Sequence, residues 1–282
     1  MSKKKQQKFK PGIYGNISIE DYHRSPDLIE YLSRSDIAHL LKSPAHFRAY
    51  KSQPQKESPD LTFGSAAHEY IIQGIATSYA VAPKEITSRR GKAWEEVVNI
   101  NAGLSVILCE EAKILEEMKK VFDKHKYAQA LISGNYKTEI TFLWDDNMYE
   151  GVKCKCRTDI WRPEEKIIVD YKTTRSAWPS EFARSAVNYD YDLQAAHYLK
   201  GVEQSLDEKG YLFYFIAQEK EPPYAIQIFK AGEDFIKLGK VKRNWALNNY
   251  WWAIENKNWD RSYEEQVWTI EPPVYALKEY NI

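Results

Sequence analysis

The chain has 282 residues, 43% hydrophobic and 28% charged, which is enough to bury a sizeable core in one domain. Lysine plus arginine equals aspartate plus glutamate, so no global field favours nucleic acid and any such contact must come from local patches. No run approaches the ~18 apolar residues of a membrane helix, the Lys-rich start lacks the apolar stretch of a signal peptide, and three cysteines are too few for a disulfide framework. The expectation is a reduced, cytoplasmic protein with no membrane contact.

Residues 1–16 read as a flexible basic lead, broken at Pro11-Gly12 and Gly15-Asn16, and residues 17–282 as a single domain. Ser35-Asp-Ile-Ala-His-Leu-Leu opens like a capped helix, and Ser43-Pro44 restarts one. Pro, Gln, Lys and Ser mark 52–60 as a loop, after which Phe63-Gly-Ser-Ala-Ala-His begins a helix carrying His68. Residues 79–81 form a short strand, 84–92 a basic loop holding Arg89, Arg90 and Lys92, and 94–99 a helix. Ile114, Leu115, Met118, Val121 and Phe122 recur at helical spacing and predict one long amphipathic helix over 109–131, ended by Gly134-Asn135.

Residues 137–144 alternate as a strand, with Ile140, Phe142 and Trp144 on one face and Glu139, Thr141 and Leu143 on the other. Strands over 148–159 and 166–173 complete a meander in which Asp159 closes the second strand and Trp161-Arg-Pro-Glu-Glu165 supplies the turn. Helices are predicted over 179–188 and 193–202, strands over 211–218 and 225–230, and a terminal helix over 233–257. That order describes an α/β protein with a central mixed sheet flanked by helices on both faces.

The chemistry concentrates on the meander. Asp170 and Lys172 are two apart behind an Ile-Ile-Val run, so on a strand both leave the same face, and Asp159 approaches from the preceding strand. Two carboxylates with an ammonium suit phosphodiester hydrolysis. Mg²⁺ takes oxygen ligands and leaves room for water and phosphate, while Lys172 positions or helps deprotonate the attacking water and offsets charge on the phosphate. The carbonyl of Tyr171, between the two, is a candidate further ligand, and Glu139 on the neighbouring strand could bind a second ion or hold a metal-bound water. Asp-x-Lys alone has very low specificity and equally describes an exposed strand-edge pair. Gln194 and Tyr198 are four apart, on one helical face, where they could reach a phosphate and a base or backbone. A zinc protease is excluded, because His68-Glu69 would need a second histidine where Ile72 stands.

Taken together these segments resemble the PD-(D/E)xK nuclease superfamily, and within it the RecB-like exonucleases, closest to the phage and prophage RecE type. Ser33-Arg-Ser-Asp-Ile-Ala-His-Leu-Leu-Lys-Ser-Pro is similar to the opening helical motif, and Phe63-Gly-Ser-Ala-Ala-His68 to the Gly-x-x-x-His motif. Ser88-Arg-Arg-Gly-Lys-Ala-Trp94 resembles a basic segment of the RecE-like branch. Lys153 to Asp159 and Val169-Asp-Tyr-Lys-Thr173 resemble the two metal motifs, and Gln194-Ala-Ala-His-Tyr198 the helix that follows.

The resemblance implies a restriction-endonuclease-like core, with His68, Asp159, Asp170 and the Tyr171 carbonyl holding Mg²⁺, for which Mn²⁺ can substitute. Asp159, Asp170, Lys172 and Glu139 would do the chemistry, and Gln194, Tyr198, Arg89, Arg90 and Lys92 would contact substrate. It implies an exonuclease acting 5′ to 3′ on double-stranded DNA ends, a RecT-like annealing partner in phage-type recombination, and a ring-shaped homo-oligomer. A structure-specific endonuclease and an inactive DNA-binding module of the same fold are the alternatives. Related nucleases often carry an iron–sulphur cluster on four cysteines. Ser43-Pro44 replaces the usual Cys-Pro and no cysteine follows Cys156, so no cluster is expected.

Overall fold

The computed structural model describes residues 9–53, 58–263, 267–272 and 277. Its centre is a six-stranded sheet in the order β1-β4-β5-β6-β7-β8, formed by Gly12–Tyr14, Lys137–Asp145, Lys153–Arg162, Ile167–Thr174, Leu212–Glu219 and Ile226–Lys230. A separate parallel pair joins β2 (Tyr79–Val81) to β3 (Ser105–Ile107). β4, β5 and β6 form the expected antiparallel meander. β6 and β7 run parallel, which requires a crossover, and the chain supplies it with α9 (Pro179–Asn188) and α10 (Tyr191–Leu206). The mixed sheet of the sequence reading is therefore present.

One face of the sheet packs against α3 (Arg34–Leu40), α4 (Pro44–Ser52), α9, α10 and α11 (Glu233–Glu255), with Phe142, Trp144, Cys156, Ile168, Phe213 and Phe215 at its centre. The other face packs against α5 (Pro59–Ala67), α7 (Cys109–Lys124) and α8 (Lys126–Leu131) through Ile160, Val169, Tyr171 and Ile216. Alternation along β6 explains the split, because Ile168 faces the first layer and Val169 and Tyr171 the second. α11 approaches α10 closely at Gly239, where a methyl would strike the Asp192 carbonyl, and α10 approaches the sheet closely at Gly201, where a methyl would sit 2.5 Å from the Trp144 ring. α6 (Lys92–Ile100) has no buried residue.

Several expectations are corrected. Gly12–Tyr14 is an edge strand paired with β4, so the second half of the basic lead belongs to the sheet; residues 1–8 lie outside the described residues. Asp159 does not close its strand, because β5 runs on to Arg162 and the turn to β6 is correspondingly short. The single helix over 109–131 is two, since His125 leaves the helical conformation and its Nδ1 accepts the Ala128 N–H as an N-cap, 3.1 Å away. The helix from Phe63 is also interrupted: α5 ends at Ala67 and His68–Gln73 forms a π-helical turn, closed by Gly74 at φ 69°. Among the described residues no helix is long and apolar enough to cross a membrane.

A polar cluster is sealed between α10, α11 and the sheet. Arg243 pairs with Asp146 and donates through Nε to His197 Nδ1 at 3.2 Å. That leaves the proton on the other ring nitrogen, and His197 Nε2 donates to the Lys155 carbonyl at 3.0 Å. Burial, reinforced by the Arg243 charge, pulls the His197 pKa down to about 3, so the ring is neutral.

Candidate active site

β5 and β6 are bonded only at Ile160↔Val169, Trp161↔Ile168 and Arg162↔Ile167. Beyond these pairs the strands part, and the Tyr171 N–H, freed from the ladder, donates to Asp159 Oδ2 at 2.9 Å. Asp159 and Asp170 sit at this fork. Across β5 the ladder with β4 is interrupted opposite Asp159, where Glu139 adopts φ 56° between the pairs Thr138↔Ile160 and Ile140↔Thr158. That left-handed kink is unfavourable for a residue with a side chain and fits a site where geometry outweighs regularity.

The π-helical turn brings His68 over the fork. Its Nδ1 lies 3.3 Å from Glu139 Oε1, and its Nε2 lies 3.6 Å from Asp159 Oδ2. His68, Glu139 and Asp159 each offer a ligand atom within 4.8 Å of the others. On the other prong, Lys172 Nζ pairs with Asp170 Oδ2 at 2.7 Å, and Gln194 donates its amide to Asp170 Oδ1. The sequence reading therefore brings His68, Glu139, Asp159, Asp170, Lys172 and Gln194 together. Tyr171 joins them through its backbone alone, because its ring is buried in the opposite layer and its hydroxyl donates to Gln218. Tyr198 lines the same cleft, its ring edge-on to Phe213. Arg89, Arg90 and Lys92 do not line it; Arg89 makes a two-pronged ion pair with Glu111 and lies over Trp94.

Electrostatics separate the groups. Burial, with Asp170 and Glu139 nearby, pushes the Asp159 carboxyl up to about 6 against the opposing pull of His68 and Lys172. Burial works to lower the Lys172 pKa, but Asp170 and Asp159 outweigh it, and the ammonium is held charged above its ordinary range. Two residues the sequence reading did not assign complete the floor. Arg157 donates to Glu139 Oε2 and to the Ile17 carbonyl, and Gln73 Nε2 lies 3.3 Å from both His68 Nδ1 and Glu139 Oε1. Arg157 had a signal, being two before Asp159 on the same strand face. Gln73 had none, since five residues is off the face of an α-helix and only the π-helical turn aligns it with His68.

The floor fits a divalent ion. His68 Nε2 is buried without a hydrogen-bond partner among the described residues, a costly state for a ring nitrogen unless a ligand completes it. The two carboxylates beside it supply the hard oxygens such an ion prefers. The cleft above is open, about 1190 Å³ in volume, and wide enough for a polymer strand.

Residues 33–267 match the family described as a PDDEXK-like domain of unknown function (DUF3799). The chain belongs to this family. That membership agrees with the PD-(D/E)xK nuclease superfamily motifs read from the sequence. Among solved structures, this PDDEXK-like chain is similar to a crystal structure from Eubacterium rectale described as a "Putative exonuclease", at 16% identity and a TM-score of 0.62 over 94% of this chain and 98% of that one. A phage-related exonuclease from Haemophilus somnus is also similar, at 12% identity and a TM-score of 0.36 over 86% and 91% of the two chains. At these identities the first comparison speaks for the fold alone. No curated protein sequence matches the chain significantly.

Proposed function

We propose that the protein is a Mg²⁺-dependent DNA exonuclease of the RecE type, degrading double-stranded ends 5′ to 3′ and working with a RecT-like annealing protein. The observation that carries the reading is the convergence of His68, Glu139 and Asp159 on one point, beside an Asp170–Lys172 pair, at the floor of an open cleft. The exonuclease descriptions of the related structures favour an end-directed reaction over an internal cut. The polarity, the annealing partner and a ring-shaped assembly come from the resemblance to RecE-type enzymes.

In this reading His68, Asp159 and Glu139 would hold the ion, together with Asp170 and the Tyr171 carbonyl. A bound divalent ion would supply a water of lowered pKa and a Lewis acid for a phosphate oxygen. Gln194 fixes the Asp170 carboxylate by its amide, so that Oδ2 stays turned to Lys172. Lys172, whose pKa Asp170 and Asp159 hold above its ordinary range against burial, contributes positive charge to the phosphorane as it forms. Arg157 and Gln73 hold Glu139 through its two carboxylate oxygens, Oε2 and Oε1.

End-labelled linear duplex and closed circular duplex, each with and without Mg²⁺, test this directly. The expected outcome is loss of label from linear DNA only, and only with metal. Asp170→Ala should slow that loss by about 10²- to 10³-fold, the usual scale for removing one preorganised charge from a reaction centre. Cleavage of the circle at a comparable rate would replace the exonuclease with an endonuclease, and an Asp170→Ala protein as fast as its parent would overturn the site.

A further inference from the structure

Tyr189 and Tyr191 flank the start of α10, and the chemistry above gives neither a task. The rings of Phe215, Tyr191 and Tyr189 are stacked in succession, with centroids 5.8 Å apart at 27° and then 6.0 Å apart at 30°. The inner ring belongs to the core, while Tyr189 is 63% exposed and lines the cleft. Lys172 Nζ lies 4.8 Å over the middle ring, so the ladder begins at the ammonium beside Asp170 and ends at the cleft wall.

The backbone turns sharply to make this possible. Asp190, between the two tyrosines, is left-handed at φ 55° and ψ 39°, a conformation that a residue with a side chain adopts only when its surroundings impose it. Lys242 imposes it, pairing with Asp190 Oδ1 at 2.8 Å and Asp192 Oδ1 at 3.0 Å. Arg34 flanks the outer ring, donating to the Tyr189 carbonyl, while its Nε is buried without a hydrogen-bond partner among the described residues. Arg34 and Arg175 both line the cleft. An exposed ring held at a fixed angle, with the Arg34 guanidinium beside it and Arg175 elsewhere on the cleft wall, matches what binds a single nucleic-acid strand: bases stack on the ring and phosphates meet the cations.

We propose that the outer face of Tyr189 is a stacking platform for an unpaired nucleobase of the strand being cut, next to the nucleotide whose phosphate meets Lys172. Arg34 and Arg175 would take the neighbouring phosphates. A base inside a duplex has both faces covered, so the platform selects an end with at least one base free. This rests on the nuclease reading and adds to it which form of DNA the cleft accepts.

The test uses the full chain carrying Asp170→Asn, with Mg²⁺, and a duplex whose short single-stranded overhang contains 2-aminopurine. Binding should quench the 2-aminopurine. Adding Tyr189→Ala should remove the quenching and weaken binding to the overhang about tenfold, the scale of one lost base-stacking contact. Tyr189→Trp should keep both, which separates a lost ring from a disturbed fold. Unchanged quenching and affinity in the Tyr189→Ala protein would overturn the platform, and with a parent that still degrades linear DNA the nuclease reading would stand. A parent that neither binds nor cuts DNA would instead overturn the reading on which the platform rests.

Discussion

Strand β5 borders two clusters of charge built to opposite rules. At Asp159 a histidine, three carboxylates and two cations meet, with one ring nitrogen unpartnered and one carboxyl pushed well above its usual range. Near Lys155 the same residue types, His197, Asp146 and Arg243, form a closed set in which each ring nitrogen and the guanidinium has a partner. Both are withdrawn from bulk water, the first in part and the second fully. What differs is completion: the sealed cluster satisfies itself and stabilises the fold, while the cleft cluster is left short of a positive charge and opens onto solvent.

The contrast predicts opposite responses to losing an acid. Asp146→Ala strands the buried Arg243 charge and should cost about 3–5 kcal/mol in urea unfolding; a loss under 1 kcal/mol would mean that water already reaches Arg243. Asp159→Asn should instead stabilise the metal-free protein by about 1–3 kcal/mol, because it removes a poorly compensated, partly buried carboxylate. A destabilised Asp159→Asn protein would erase the distinction between the clusters.

The pH dependence of stability sharpens the sealed side. His197 has a folded-state pKa depressed to about 3, so between about pH 6.5 and 3 the unfolded chain binds the proton and the folded chain does not. Its stabilisation is present above that window and lost as pH falls through it, by about 1.4 kcal/mol per pH unit. Asp146, whose carboxyl is held low by Arg243 despite the opposing effect of burial, acts in the same direction. Urea titrations at stepped pH should therefore show a shallower acid limb for His197→Gln than for the parent.

The two clusters were unequally legible in the sequence. Asp170 and Lys172 on a strand, and Gln194 and Tyr198 on a helix, follow from periodicity, and the order of motifs placed His68 beside them. Glu139 could be put on the neighbouring strand, but its kink could not, since no residue type there announces a positive φ. Gln73 depends on a π-helical turn that the α-helical period hides. The sealed cluster was invisible, because Asp146, His197 and Arg243 come from distant segments joined only by packing. The break at His125 escaped because histidine is not among the usual N-capping residues.

Lys155 and Arg157, which precede Asp159 on β5, reach back to the start of the chain. Lys155 Nζ donates to the carbonyls of Tyr22 and Leu28, Arg157 to that of Ile17, and Arg157 also grips Glu139. The first turns of the chain are thus cabled to a carboxylate of the reaction centre. A partner that peeled β1 from the sheet, or seized α1 (Ile19–Arg24), which itself borders the cleft, would hold a lever on Glu139.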